Sequence, residues 1–252
     1  MSTPLNFVTI VLDGMPWITS HIQAFNRLKT PWHWYVIEGA ASNTHCTYWC
    51  KPQSPRLSND GTTQYLDGLV QHPRVTVIRQ HIWDGKVSMC NSALAKIKEP
   101  CVLMQIDSDE LWTTEQIEKI RWLFENQSVS LMNFYCNYFI GPNIVTTDNT
   151  GAWVRAWRFN PGMKFASHEP PHLVGAHGAP MDRNTTKAHG LVFDHMSYVT
   201  EASVAFKEQF YGYSGAVEQW KRFQKNTTWP VGRLKDHLSF AGAAATADLF
   251  VK

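Results

Sequence analysis

The stretch from Cys101 to Trp112 constrains this chain more than any other. Its apolar run, Cys101-Val102-Leu103-Met104-Gln105-Ile106, ends abruptly in Asp107, Asp109 and Glu110. A short apolar run bounded by polar residues reads as a buried strand. In an extended segment side chains alternate, so Asp107 and Asp109 leave one face while Ser108 points the other way. Two carboxylates so placed converge on a hard cation, and a metal held by only one or two of them keeps positions open for the phosphate oxygens of a ligand. The competing expectation is that the acids are loop and cap material, since Thr113 to Gln116 has capping-box spacing and opens a helix.

With 252 residues, 44% of them hydrophobic, the chain can bury one domain's core with elaborations. A formal net charge of +2 without a long Lys/Arg run gives no electrostatic reason to expect nucleic acid, which leaves small ligands. Phe7 to Leu12 follows the start directly; it lacks a basic flank and is too short to span a bilayer, so a cytoplasmic protein without a transmembrane segment is expected. Cys46, Cys50, Cys90, Cys101 and Cys136 are an odd, scattered set, expected as reduced thiols. His45-Cys46 with Cys50 lacks a second ligand pair at finger-like spacing, which disfavours zinc. Eleven tryptophans belong mostly to the core, though an exposed one offers a flat face to a sugar ring.

The β-branched run at residues 7–12 predicts a strand, broken by Asp13-Gly14-Met15-Pro16 before a helix from Trp17 to Arg27. Trp32 to Ile37 predicts a second strand ending at Glu38-Gly39, and Val75 to Ile78 a third, after a helix near Gly61 to Val70. Residues 86–97 form a helix with Val87, Cys90, Leu94 and Ile97 on one side. Strands alternating with helices imply a parallel, doubly wound α/β sheet whose strand ends gather Asp13, Glu38 and the 107–110 cluster at one ligand-binding rim. Gly-x-Gly-x-x-Gly and Gly-x-x-x-x-Gly-Lys are both missing, which argues against dinucleotide and P-loop chemistry. Gly151 to Phe159 reads as a later strand, Thr200 to Phe210 and Ala216 to Gln224 as helices able to close over the rim, and Ala241 to Ala245 as a helix or loose tail.

Several of these segments resemble the family 2-like, GT-A-fold nucleotide-sugar glycosyltransferases. Val8 to Gly14 looks like their first strand and Val36 to Ser42 like the second with its acidic end. Trp83 to Leu94 followed by Leu103 to Glu110 resembles their Lys…Asn-x-(Ala/Gly)-Leu helix leading into an Asp-x-Asp strand. Arg155 to Glu169 is similar to their Arg-x-Phe…His-Glu segment, and Phe193 to Tyr198 to a late His-x-x-Tyr segment that often supplies a metal ligand. The resemblance runs over roughly residues 7–225, departing where Asp13-Gly14-Met15 replaces a Tyr-Asn turn and in the long loop at 39–60. It implies a mostly parallel Rossmann-type sheet with helices on both faces and C-terminal helices. Residues 1–112 would be the nucleotide-sugar half, 113–225 the acceptor-side half of the same domain and 226–252 an extension. The activity implied is transfer of a sugar from a nucleoside diphosphate, UDP-sugars favoured, to a hydroxyl of a glycan or other acceptor, with inversion and with Mn2+ or Mg2+.

The residues give each role a rationale and a rival. Glu38 and Asp13 either accept hydrogen bonds from the nucleotide or are exposed loop carboxylates. Lys86 at a helix start opposes the helix dipole, which points to a phosphate or carboxylate partner. Glu169, in the Pro-rich loop His168-Glu169-Pro170-Pro171-His172, is the candidate base for the acceptor hydroxyl, against an ion pair with Arg155 or Arg158; Asp148 and Asp182 are substitutes. The metal set would be Asp107, Asp109 and His195, with His168, His172, His177 and His189 competing for the last place. A metal phosphoesterase and a non-catalytic glycan-binding domain on the same scaffold are the rival functions.

Overall fold

A computed structural model describes residues 2–42, 51–146 and 153–225, with the backbone of 244–246. His45, Cys46, Cys50 and Asp148 lie outside the described residues. The first half runs β1 (Leu5–Val11), α1 (Thr19–Phe25), β2 (Trp32–Ala41), α2 (Thr62–Asp67), β3 (Val75–Trp83), α3 (Gly85–Leu94) and β4 (Cys101–Gln105). β1 pairs in parallel with both β2 and β4, and β2 in parallel with β3, so the strands lie in the order β3-β2-β1-β4.

The second half turns the sheet antiparallel. It comprises β5 (Glu110–Leu111), α4 (Thr114–Asn126), β6 (Val129–Gly141), β7 (Ile144–Thr146), β8 (Trp153–Phe159), β9 (Lys164–His168), β10 (Pro171–Val174), β11 (Ala179–Met181), α5 (Arg183–Ala188), β12 (Val192–His195), α6 (Glu201–Tyr211), α7 (Ala216–Gln224) and β13 (Ala244–Thr246). β8 joins β4 antiparallel, β6 joins β8, and β7 and β13 extend that edge. β12 runs parallel to β6 and antiparallel to the short β5, while β9 and β10 form a separate hairpin. The result is a GT-A-like α/β fold. Residues 244–246, expected within a helix or tail, are a strand against β7.

Alternation sorts the apolar residues onto two buried faces. Leu5, Phe7 and Val11 of β1, Trp32, Trp34 and Val36 of β2, and Val102 and Met104 of β4 enter one core, with Phe25 of α1 and Ile117, Ile120, Leu123 and Phe124 of α4. Val8, Tyr35, Ile37, Cys101 and Leu103 enter the other, beneath Met89, Cys90, Ala93 and Leu94 of α3. Helices on both sides leave no polar face on the central strands, so these strands are continuous apolar runs in the sequence. The Thr113 to Gln116 capping box forms as expected, and a second one at Thr200 and Ser203 starts α6.

Two strands run past their expected ends. β2 continues to Ala41 because Gly39, at φ 137°, makes a bulge where the register with β3 shifts between Glu38 and Ala40. β3 extends through Arg79-Gln80-His81, whose polar side chains suit its place as the last strand in the order. A Cβ at position 39 would stand 1.8 Å from the Gln80 carbonyl oxygen. Gly39→Ala is therefore expected to destabilise the fold by at least ~3 kcal/mol, measured by urea denaturation. A loss below ~1 kcal/mol would mean that the bulge relaxes freely.

Candidate active site

A cavity of about 750 Å³ opens where β1 and β4 end, walled by the start of α3, the β9–β10 turn, the end of β12 and one face of α6. It is the rim that a doubly wound sheet offers to ligands. Asp13, Lys86, Asp107, Asp109, Glu169 and His195 all line it. Glu38 does not.

The acidic cluster is held by one buried arginine. Arg155 comes from β8, beside β4, and its side chain is 1% exposed. Its Nε lies 2.8 Å from Glu110 Oε1, and its Nη2 lies 2.8 Å from Asp107 Oδ2 and 2.7 Å from Glu110 Oε1. A guanidinium fork can serve two carboxylates at once, where a single ammonium cannot do so with planar geometry. Burial works against the Asp107 charge, but Arg155, with His168 and His195, more than offsets it and holds the carboxyl below its ordinary value. Glu110 is fully buried, and desolvation pushes it up to about 7 despite the same arginine.

Asp107 and Asp109 do not leave a strand on a common face. β4 stops at Gln105, and Glu110 N bonds back to Asp107 O in a turn, so each carboxylate finds its own partner. Asp109 Oδ1 stands 3.3 Å from His195 Nε2, and its Oδ2 stands 3.7 Å from Lys207 Nζ. Burial opposes its ionisation, yet His195 and Lys207 together hold it well below the ordinary carboxylate range. The Met196 N–H donates to Asp109 O at 2.8 Å, tying the end of β12 to this turn.

Across the cavity, Lys86 Nζ donates to Glu169 Oε1 at 2.5 Å and to the Tyr211 hydroxyl at 3.3 Å. His168 Nδ1 is 3.5 Å from the same Glu169 oxygen, and its Nε2 is 3.1 Å from Gln105 Nε2. Burial would raise Glu169, but His168 and the Lys86 ammonium more than offset it and keep the group ionised. The expected arginine partners are otherwise engaged: Arg155 with the acids, Arg158 with backbone carbonyls of Phe124 and Val129. Asn91 fixes the hairpin that carries Glu169, its amide donating to Phe165 O at 3.0 Å and accepting from Phe165 N at 2.8 Å.

The remaining candidates separate cleanly. Glu38, expected at a strand end facing a nucleotide, is wholly buried inside β2, bound by Arg79 Nε at 2.7 Å, Thr63 Oγ1 at 2.5 Å and Ser58 N at 3.3 Å. Asp13, at φ 59°, lines the cavity with its carboxylate gripped by Arg56 at 3.1 and 2.5 Å and by Asn59 N at 2.9 Å. Asp182 caps α5 through Asn184 N and Thr185 N on the surface. His172 and His177 are exposed and His189 ends α5, so of the competing histidines only His168 shares the cavity with His195. Sequence reasoning missed the bridging role of Arg155 and missed Lys207. The signal for the second was present, since Ser203, Phe206, Lys207 and Phe210 recur at helical spacing and all face the cavity.

Among the described residues no three His, Cys, Asp or Glu side chains form a closed metal set. Asp109 and His195 are a two-donor arrangement. Donors on neighbouring corners of an octahedron of ~2.1 Å radius are about 3.0 Å apart, close to the 3.3 Å between these two, so the pair could supply two donors to a divalent ion.

No protein-family model matches the chain, and no curated protein does. Among solved structures it is similar to S. aureus TarS 1-349, at 12% identity over 62% of this chain and 47% of that one, with a TM-score of 0.41. The same fragment in complex with UDP-GlcNAc gives 15% identity, coverage of 55% and 36%, and a TM-score of 0.40. The mannosyltransferase PcManGT from Pyrobaculum calidifontis, in complex with GDP-Man and Mn2+, gives 13% identity, coverage of 91% and 67%, and a TM-score of 0.48. The chain spans less than half the length of these TarS chains.

Arg155→Met strands Glu110 and Asp107 without a counter-charge and is expected to cost about 3–5 kcal/mol in chemical denaturation. Adding Glu110→Gln should recover part of that loss. A double variant no more stable than the single one would show that the arginine matters by shape rather than charge.

Proposed function

We propose that the chain is a glycosyltransferase that moves a sugar from a nucleoside-diphosphate donor to an acceptor hydroxyl. The observation that carries this reading is the composition of the cavity wall. Lys86, Arg155 and Lys207 face Asp107, Asp109 and Glu169, and Asp13 and Asp60 also line the cavity, so the wall carries no surplus of positive charge. A diphosphate entering such a site brings negative charge that a divalent ion on Asp109 and His195, beside Asp107, would balance. The metal would supply electrostatic stabilisation of the leaving diphosphate.

The chain's own groups divide the remaining work. Glu169 is the proposed base: it is ionised and available to take the acceptor hydroxyl's proton as the new glycosidic bond forms. Its ion pair with Lys86 also weakens it as a base, and donation by Lys86 to a phosphate oxygen would restore basicity as the donor binds. Asp13, Asn59 and Asp60 also line the cavity and would face a nucleoside extending from the phosphates. One base acting on the acceptor implies direct displacement with inversion at the anomeric carbon. In this assignment Asp13, Lys86, Asp107 and Asp109 make 1–112 the donor half and Glu169 makes 113–225 the acceptor half, with His195 reaching across from the second half to the first.

The decisive experiment is thermal stabilisation by a panel of UDP- and GDP-sugars with and without Mn2+ or Mg2+, followed by assay of released nucleoside diphosphate. Metal-dependent stabilisation and turnover that needs an acceptor are expected. Phosphate-ester cleavage without an acceptor would replace this reading with a hydrolase, and stabilisation by glycans alone with a binding domain. Asp109→Asn is expected to lower turnover at least ~100-fold in a chain that still folds. Glu169→Gln should cut kcat by about 100-fold or more with donor KM little changed. An unchanged kcat would move the base elsewhere.

A further inference from the structure

We infer that Lys207, on α6, is a phosphate-binding residue of the donor site, reaching the leaving diphosphate from the side opposite the strand ends. This rests on the transferase reading and extends it to a helix outside the acidic motif. The three cavity cations are not equally satisfied. Lys86 has a carboxylate oxygen at 2.5 Å, and Arg155 has two carboxylates within 2.8 Å. Lys207 stands 3.7 Å from its nearest carboxylate, Asp109, and otherwise donates to the Ser197 hydroxyl and lies 4.7 Å from the centre of the Tyr198 ring.

An ammonium that is 16% exposed, with its nearest carboxylate oxygen 3.7 Å away, is the most loosely paired cation of the three. The Lys86 ammonium lies 5.5 Å from the Phe210 and Tyr211 rings, about one turn along α6 from Lys207, so two lysines flank the same space. An anion with several oxygens, seated between the two lysines, can accept a charge-assisted hydrogen bond from each. A diphosphate has that form, and an acceptor hydroxyl does not. Asp109 gains as well: with Lys207 turned to phosphate, both of its oxygens are free for the ion shared with His195.

The test is isothermal titration of the whole chain and of Lys207→Met, which keeps the apolar stem, with UDP against uridine and GDP against guanosine, each with Mn2+. Loss of one charge-assisted phosphate contact should weaken the preferred diphosphate about 10–100-fold in the variant while nucleoside affinity changes less than about twofold. Unchanged diphosphate affinity in Lys207→Met would overturn the assignment alone. Equal losses for diphosphate and nucleoside would overturn it too, since they would mark Lys207 as a support for cavity shape. Binding of neither diphosphate by the unaltered chain would overturn the transferase reading and this assignment with it.

Discussion

The arrangement of the site depends on one guanidinium placed beneath three carboxylates. Removing acids from water costs several kcal/mol each unless their charge is met at close range, and the 107–110 turn packs them into four positions. Arg155 meets two of them with a single planar group, from a strand that runs antiparallel to β4 and is therefore in register to reach the turn. Asp109 is the acid that Arg155 does not pair with, and it faces His195 and Lys207. The junction of the parallel and antiparallel halves thus decides which acids pair with Arg155 and which faces His195 and Lys207.

That division explains what could and could not be read from the chain. The first four strands were legible because helices bury both of their faces, leaving apolar runs bounded by turn residues. Glu38 was misplaced because Glu-Gly after an apolar run looks like punctuation, whereas the backbone bulges at Gly39 and continues. The pairing of Arg79 with that carboxylate is long-range, and nothing local announces it. The Asp-x-Asp pattern was found for a reason that does not hold, since the two side chains are separated by a turn rather than aligned by strand alternation.

Partner identity was the least legible property. Lys86, Glu169 and His195 reach the cavity as proposed, because each sits at an element end that the alternating strands and helices bring to one rim. Their partners come from segments 83 to 125 residues away, or from the opposite wall. Helical spacing marked the inner face of α6, but an amphipathic pattern does not say whether a lysine among phenylalanines faces solvent or a buried charge.

Asn91 grips β9 through the main chain of Phe165, both donor and acceptor, and touches no side chain of the hairpin in doing so. Lys164, Ala166, His172 and Val174 are exposed on that hairpin. Sequence drift at these four places is thus uncoupled from the anchoring of the loop bearing Glu169.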